Sequence, residues 1–135
     1  PAFVITCEEK EIQNELQQIT EKHFGRTPKP SKYAAKATKM RFSQSIGQVA
    51  LDFGAKAVNA REKEIPASIL KSPREVVIGF LQGLFDADGY VDQNGTIQFG
   101  SRSEKLVKQV QIVLANFGII GHRKAKQVKA KIFGD

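Results

Sequence analysis

Residues 81–89 read LQGLFDADG, an apolar helical run that closes on Asp86, Asp88 and Gly89. Gly79, Gly83 and Ala87 fall at i, i+4 and i+8, one stripe of a helix along which a second helix can approach the backbone closely. Leu81, Leu84 and Phe85 are expected to bury on either side of that contact. The helix delivers Asp86 and Asp88 to its C-terminus, where the macrodipole already carries roughly half a negative charge and carboxylates are disfavoured. A cation should compensate. If the packing partner is a copy of this helix, two acidic clusters converge on a site suited to a divalent metal with oxygen ligands. The DxDG spelled by Asp86 to Gly89 also opens calcium loops, but those need glycine at the sixth position and glutamate at the twelfth, where this chain has Val91 and Ile97. A plain Asp-Gly helix stop would account for the ending but not for the stripe of small residues.

A chain of 135 residues with 41% hydrophobic content is long enough for a core and fits one globular domain, residues 1–135. Its apolar runs are far shorter than a bilayer span and its beginning lacks a signal-peptide pattern, so the expectation is an intracellular protein, cytoplasmic or nucleoid-associated, with no membrane partner. Cys7 stands alone, which gives neither a disulfide nor a zinc set and suits a small buried or half-buried residue on a strand. Twenty-one Lys and Arg against fourteen Asp and Glu leave a net charge of +7, and a polyanion is the expected partner. Lys29, Lys32, Lys36, Lys39 and Arg41 form one cluster; Arg123, Lys124, Lys126, Lys129 and Lys131 form another. No acidic residue interrupts either.

Hydrophobic periodicity predicts a strand over 2–6 and a helix over 8–24 with Ile12, Leu16, Ile19 and His23 on one face, stopped by Gly25. The basic stretch 26–42 suits strands of a ribbon, and a short helix capped by Ser43 or Ser45 runs to Phe53. Residues 55–72 read as connector, after which Ser72 and Pro73 give an N-cap and first-turn proline for the acidic helix. Asn94-Gly95 marks a tight hairpin between strands 90–92 and 96–100. A helix over 104–117 buries Leu106, Val110, Val113, Leu114 and Phe117, and a basic strand is expected from about His122 to Val128.

The nonapeptide resembles the signature of the LAGLIDADG homing endonucleases, in particular the intein-encoded type, departing from it mildly at Gln82 and Phe85. The resemblance implies an α+β fold of αββαββα repeats whose antiparallel sheet forms a DNA-binding saddle. Residues 1–65 then look like the later part of one repeat, and 73–135 like the motif helix and earlier part of the next. It also implies that Asp88 is catalytic and ligates the metal, Mg2+ or another divalent cation such as Mn2+, with help from the Ala87 carbonyl. Gly79, Gly83 and Ala87 become the motif-helix packing residues. Only one such motif is present, so a second is expected from another repeat or from the second subunit of a homodimer.

Intein-encoded members of the family carry a lysine before an Ile-Pro pair ahead of the second acid, and Lys63-Glu64-Ile65-Pro66 fits that place. An ammonium beside the attacking water favours hydroxide and the charge that gathers on the phosphorane-like transition state, which makes Lys63 the second catalytic candidate. The implied activity is site-specific, metal-dependent hydrolysis of phosphodiester bonds in double-stranded DNA, with water attacking, the 3′ oxygen leaving, and 3′ overhangs as product. Target recognition falls to the ribbons. A two-stranded ribbon fits the major groove, where Arg pairs with guanine and Gln with adenine. The DNA-binding candidates are Lys32, Lys36, Lys39 and Arg41 in the first half and Gln98, Arg102, Arg123, Lys124 and Lys126 in the second. The alternative reading is a catalytically inactive relative that binds DNA or RNA as a regulator or maturase.

Overall fold

The computed structural model describes residues 3–33 and 37–126. Helices alternate with short antiparallel strands, the mixed class the sequence implies, and the chain divides into two compact units, Pro1–Lys56 and Ala57–Asp135.

The first unit runs β1 (Val4–Cys7), α1 (Lys10–Phe24), β2 (Lys29–Lys32), β3 (Thr38–Arg41) and α2 (Gln44–Asp52). Its sheet is antiparallel with β3 in the centre, in the order β1-β3-β2. Helix α1 is built largely from good helix formers, with Glu11 in its first turn and Lys22 and His23 in its last to complement the dipole. Gly25 ends it in the left-handed region at φ 62°, its N–H bonded to Glu21. The inward face differs from the expected one. Thr20 is buried while Ile19 and His23 are exposed, because the Thr20 hydroxyl donates back to the carbonyl of Leu16 at 2.8 Å, which satisfies it inside and leaves its methyl to pack. Met40 is fully buried, and Phe42 is buried with its ring centroid 5.3 Å from that of Phe3. Cys7 is half-buried on β1; burial, then the charge of Glu9, pushes its thiol up from the ordinary range.

The second unit runs α3 (Ala67–Leu70), α4 (Arg74–Asp88), β4 (Gly89–Val91), β5 (Ile97–Phe99) and α5 (Glu104–Asn116). Ile65, Leu81, Leu106, Val110 and Val113 form its buried core, with Val77, Phe80, Leu84 and Phe85 of α4 packed against it. The connector is more ordered than its composition suggests, since α3 lies within it. Pro73, not Ser72, takes the N-cap position of α4, while the Ser72 hydroxyl turns back to the Ser68 carbonyl at 2.8 Å. Residues 121–126 hold no strand where the basic strand is expected. The Gln111 side chain takes the Gly121 carbonyl at 2.6 Å, which ties the start of that segment to α5. Residues 127 and 128, the rest of that expected strand, lie outside the described residues.

Ser103 holds the unit together at its most buried polar point. It is fully buried, caps α5 by accepting from the Leu106 N–H at 3.1 Å, and donates to the Lys63 carbonyl at 2.5 Å. Two residues on, the Ile65 N–H donates to the Gln109 side-chain oxygen at 2.8 Å, and Glu64 is paired with Lys105. The hairpin turn is fixed by Asp92, one of whose oxygens accepts from the Asn94 and Thr96 N–H groups, both at 2.9 Å, with Gly95 at φ 77°. The Thr96 amide foremost, then the Gln98 side chain and the Asn94 amide, hold the Asp92 carboxyl below the usual carboxylate range.

Replacing Ser103 with alanine removes the cap and orphans the Lys63 carbonyl; chemical denaturation should show a loss of about 1–3 kcal/mol. Ile65→Ala leaves a cavity between α4 and α5 and should cost about 2–5 kcal/mol by the same measurement. Because the folded-state pKa of Asp92 is depressed, its contribution is present above the unfolded value and is lost as pH falls through the folded one. A carboxyl NMR titration should therefore place the Asp92 midpoint below that of an unstructured aspartate, and Asp92→Asn should flatten the acid limb of the stability curve.

Candidate functional site

The acid-bearing end of α4 is shaped by a glycine required for space. Gly89 has φ −93°, a conformation open to any residue. Yet a Cβ there would run into the carbonyl oxygen of Phe85, the acceptor of the Gly89 N–H, and lie 3.1 Å from its carbonyl carbon. The helix can thus pass directly into β4 with no intervening loop. Phe85 and Phe99, with ring centroids 5.3 Å apart, pin that junction to β5, and the Gly100 N–H reaches the Asp88 carbonyl at 3.4 Å.

Asp86 and Asp88 are both exposed, and among the described residues neither carboxylate has a hydrogen bond or ion pair. Ala87 is one of the last four residues of α4, whose carbonyls have no acceptor role inside the helix except where the next turn supplies one. Gly79, Gly83 and Ala87 are exposed, and a methyl group added at either glycine would meet nothing within 4 Å. Leu81, Leu84 and Phe85 face the unit's own core instead of flanking that stripe. Spacing puts Asp86 on the open stripe and Asp88 on the side of Leu81 and Leu84. The described residues contain no group of three His, Cys, Asp or Glu able to hold a metal ion.

Lys63 is exposed, but its backbone is clamped by Ser103, and Ile65 two residues later is 2% exposed in the same core as Leu81. The Ile-Pro neighbours pick out Lys63 in the sequence, whereas Ser103, which holds its carbonyl, and Gln109, which holds the Ile65 N–H, are not picked out there. The available signal was a serine directly before the acidic first turn of an amphipathic helix.

The basic residues separate by register. Lys29 pairs with Arg41 and Ser31 with Lys39, so Lys29, Lys39 and Arg41 share one face of the first sheet. Lys32 pairs with Thr38 and falls on the opposite face with Met40. Lys39 also lies 5.7 Å over the Tyr33 ring. Lys29, absent from the candidates drawn from sequence, joins them once its register is known. Lys36 lies outside the described residues. In the second unit Arg102, Arg123, Lys124 and Lys126 are exposed. Lys108 chiefly, with Arg123 adding its charge, holds the Glu104 carboxyl below its ordinary range. Gln98 pairs with Tyr90 across the hairpin, accepts from its hydroxyl at 2.5 Å and donates to Asp92 at 2.7 Å. No helix among the described residues is long and apolar enough to cross a membrane.

Residues 75–132 match the LAGLIDADG-like domain. The chain is 26% identical over 119 residues to a DNA polymerase of Thermococcus kodakarensis, covering 85% of this chain and 7% of the polymerase. An ATP-dependent DNA helicase of Methanocaldococcus jannaschii is 43% identical over 61 residues, 44% of this chain and 5% of the helicase. A DNA gyrase polypeptide of Mycolicibacterium flavescens is 34% identical over 89 residues, 63% of this chain and 14% of the gyrase polypeptide. The chain thus spans a small fraction of each relative's length. The matched span, residues 75–132, holds the acid-tipped helix, the hairpin and the helix after it, and it is this part of the chain that is similar to the LAGLIDADG-like domain family.

Proposed function

We propose that this chain is a homing-endonuclease-type domain that binds double-stranded DNA and hydrolyses its phosphodiester bonds with a divalent cation. The observation that carries the reading is Asp88: an exposed carboxylate at the disfavoured end of a helix, without a partner among the described residues, at the tip of a helix whose other side carries an open stripe of small residues with Asp86. The oxygen donors available there, the Asp88 carboxylate and the Ala87 carbonyl, suit Mg2+ or Mn2+, and a second motif from another repeat or from a homodimer partner would complete the set. When bound, the cation supplies Lewis-acid polarisation of the scissile phosphate and lowers the pKa of the attacking water.

The remaining work belongs to side chains. Lys63, on its clamped backbone, adds positive field to the charge developing on the phosphate oxygens. Lys29, Lys39 and Arg41 attract the polyanion through one face of their sheet, since like charges set opposite each other in a ladder are unfavourable until an anion intervenes. Similarity to short stretches of proteins named as a DNA polymerase, a DNA helicase and a DNA gyrase supports a domain carried as an insertion of the intein type. The second reading is a DNA- or RNA-binding regulator or maturase without catalysis.

The test is cleavage of a duplex library by the full-length protein with Mg2+. Asp88→Asn should lower cutting on the order of a hundredfold or more while binding persists, chelation should stop it, and Lys63→Ala should lower it by about tenfold to a hundredfold. Binding without metal-dependent nicking selects the second reading. Failure to bind any duplex at low salt overturns the DNA-binding account. Where binding occurs it should fall steeply with salt, and Lys29→Ala and Arg41→Ala should each flatten that dependence by about one phosphate contact.

A further inference from the structure

We propose that Gln98 selects adenine in the DNA target as an amide locked in one orientation, with Asp92 and Tyr90 as its positioning residues. The inference rests on the DNA-binding reading above and adds to it a base and the device that reads it.

Tyr90 and Gln98 are cross-strand partners, while Gly89, Val91, Ile97 and Phe99 share the other face of the hairpin. Phe99 packs on Phe85 of α4, so the Tyr90–Gln98 face points away from the helix. A glutamine on an outward strand face ordinarily samples several rotamers, and its amide can present donor and acceptor either way round. Here chemistry removes that freedom. The Asp92 carboxylate only accepts, so the group 2.7 Å from its Oδ2 must be the Gln98 Nε2. The Tyr90 hydroxyl donates at 2.5 Å to the Gln98 Oε1. The Asp92 contact demands this orientation, and with the amide so placed the Tyr90 hydroxyl must be the donor to Oε1. Asp92 is itself immobile, its other oxygen held by the amides of Asn94 and Thr96. These bonds also keep it ionised below the usual carboxylate range.

Each end of the amide has spent half its capacity. One Nε2 hydrogen and one Oε1 lone pair remain, a donor and an acceptor on the same amide. Adenine offers the complement in the major groove, with N7 accepting and N6 donating. Guanine sets two acceptors there, thymine an acceptor and a methyl group, cytosine a donor, so each leaves at least one group of the amide unmatched. An amide free to turn over would compromise with several bases. A fixed one cannot, and it loses less rotamer entropy on binding.

The experiment is selection of bound duplexes from a randomised library by the full-length protein and its Gln98→Ala, Tyr90→Phe and Asp92→Asn variants, with melting curves as the control for folding. Wild type should show an adenine preference of about tenfold at a position where Gln98→Ala abolishes it and leaves the other positions unchanged. Tyr90→Phe removes one oxygen and should weaken the preference at that same position only, as should Asp92→Asn. The inference is overturned if Gln98→Ala changes no position, or if Tyr90→Phe and Asp92→Asn lower affinity evenly for all sequences, the outcome of a merely structural turn. A wild-type protein that binds no duplex overturns the underlying reading and this one with it, whereas sequence-selective binding indifferent to Gln98 overturns this one alone.

Discussion

One buried hydroxyl joins the parts of the second unit on which the rest depends. Ser103 belongs to the start of α5, yet its proton goes to the carbonyl of Lys63, forty positions earlier in the chain. That bond fixes the connector ahead of α4, so Ile65 enters the core beside Leu81 and the α5 residues Leu106, Val110 and Val113. With Leu81, Leu84 and Phe85 committed inward, the orientation of α4 is decided by this core. The side bearing Gly79, Gly83 and Ala87 is left open as a consequence, without any feature of its own holding it so.

The charges that find partners and those that do not are distributed unevenly. Glu104 has Lys108 and the field of Arg123, and Asp92 has two amides and a glutamine. Asp86 and Asp88 have none among the described residues, at a helix end where each negative charge costs about 0.3–1 kcal/mol. On the first sheet, Lys29 stands opposite Arg41 with Lys39 on the same face. A sequence selected only for stability would exchange or pair these groups. Local conflict of this kind, in a fold otherwise consistent across its levels, marks surfaces built for something that arrives later.

Periodicity and turn chemistry made most of the elements legible. Gly25 and Gly95 sit at positive φ at the helix end and the turn where they are expected, and the hydrophobic residues of α5 are the ones its spacing nominates. The errors have separate physical causes. On α1 a threonine satisfied its hydroxyl on its own backbone and entered the core ahead of Ile19, which composition alone could not foretell. Around 121–126 the alternating basic pattern was an insufficient signal, since a strand needs a ladder partner and the Gln111 bond holds the segment's start to α5 instead. Lys29 and Lys32 are equivalent in sequence and separated only by register, because a displacement of one residue moves a side chain to the opposite face. Of the candidate site, the acids and Lys63 could be picked out from sequence, but the clamp through Ser103 and Gln109 joins residues too distant in the chain for spacing to reveal.

The two kinds of polar group left available in the second unit are prepared in opposite ways, and the difference follows from the chemistry each can do. A carboxylate proposed to bind a metal, as Asp88 is, gains from being uncommitted: hydrogen bonds to it would stabilise its charge and weaken its attraction for a cation. A group that discriminates between base edges gains from the reverse, because selectivity is a difference between one matched geometry and several mismatched ones, and a mobile donor–acceptor pair averages that difference away. Asp88 ends its helix with its oxygens free among the described residues, whereas Gln98, ten residues on, is held at both ends of its amide. The glycine between them makes the contrast feasible: Gly89 lets the strand begin where the helix stops, so a free acid and a fixed amide are supported by the same junction.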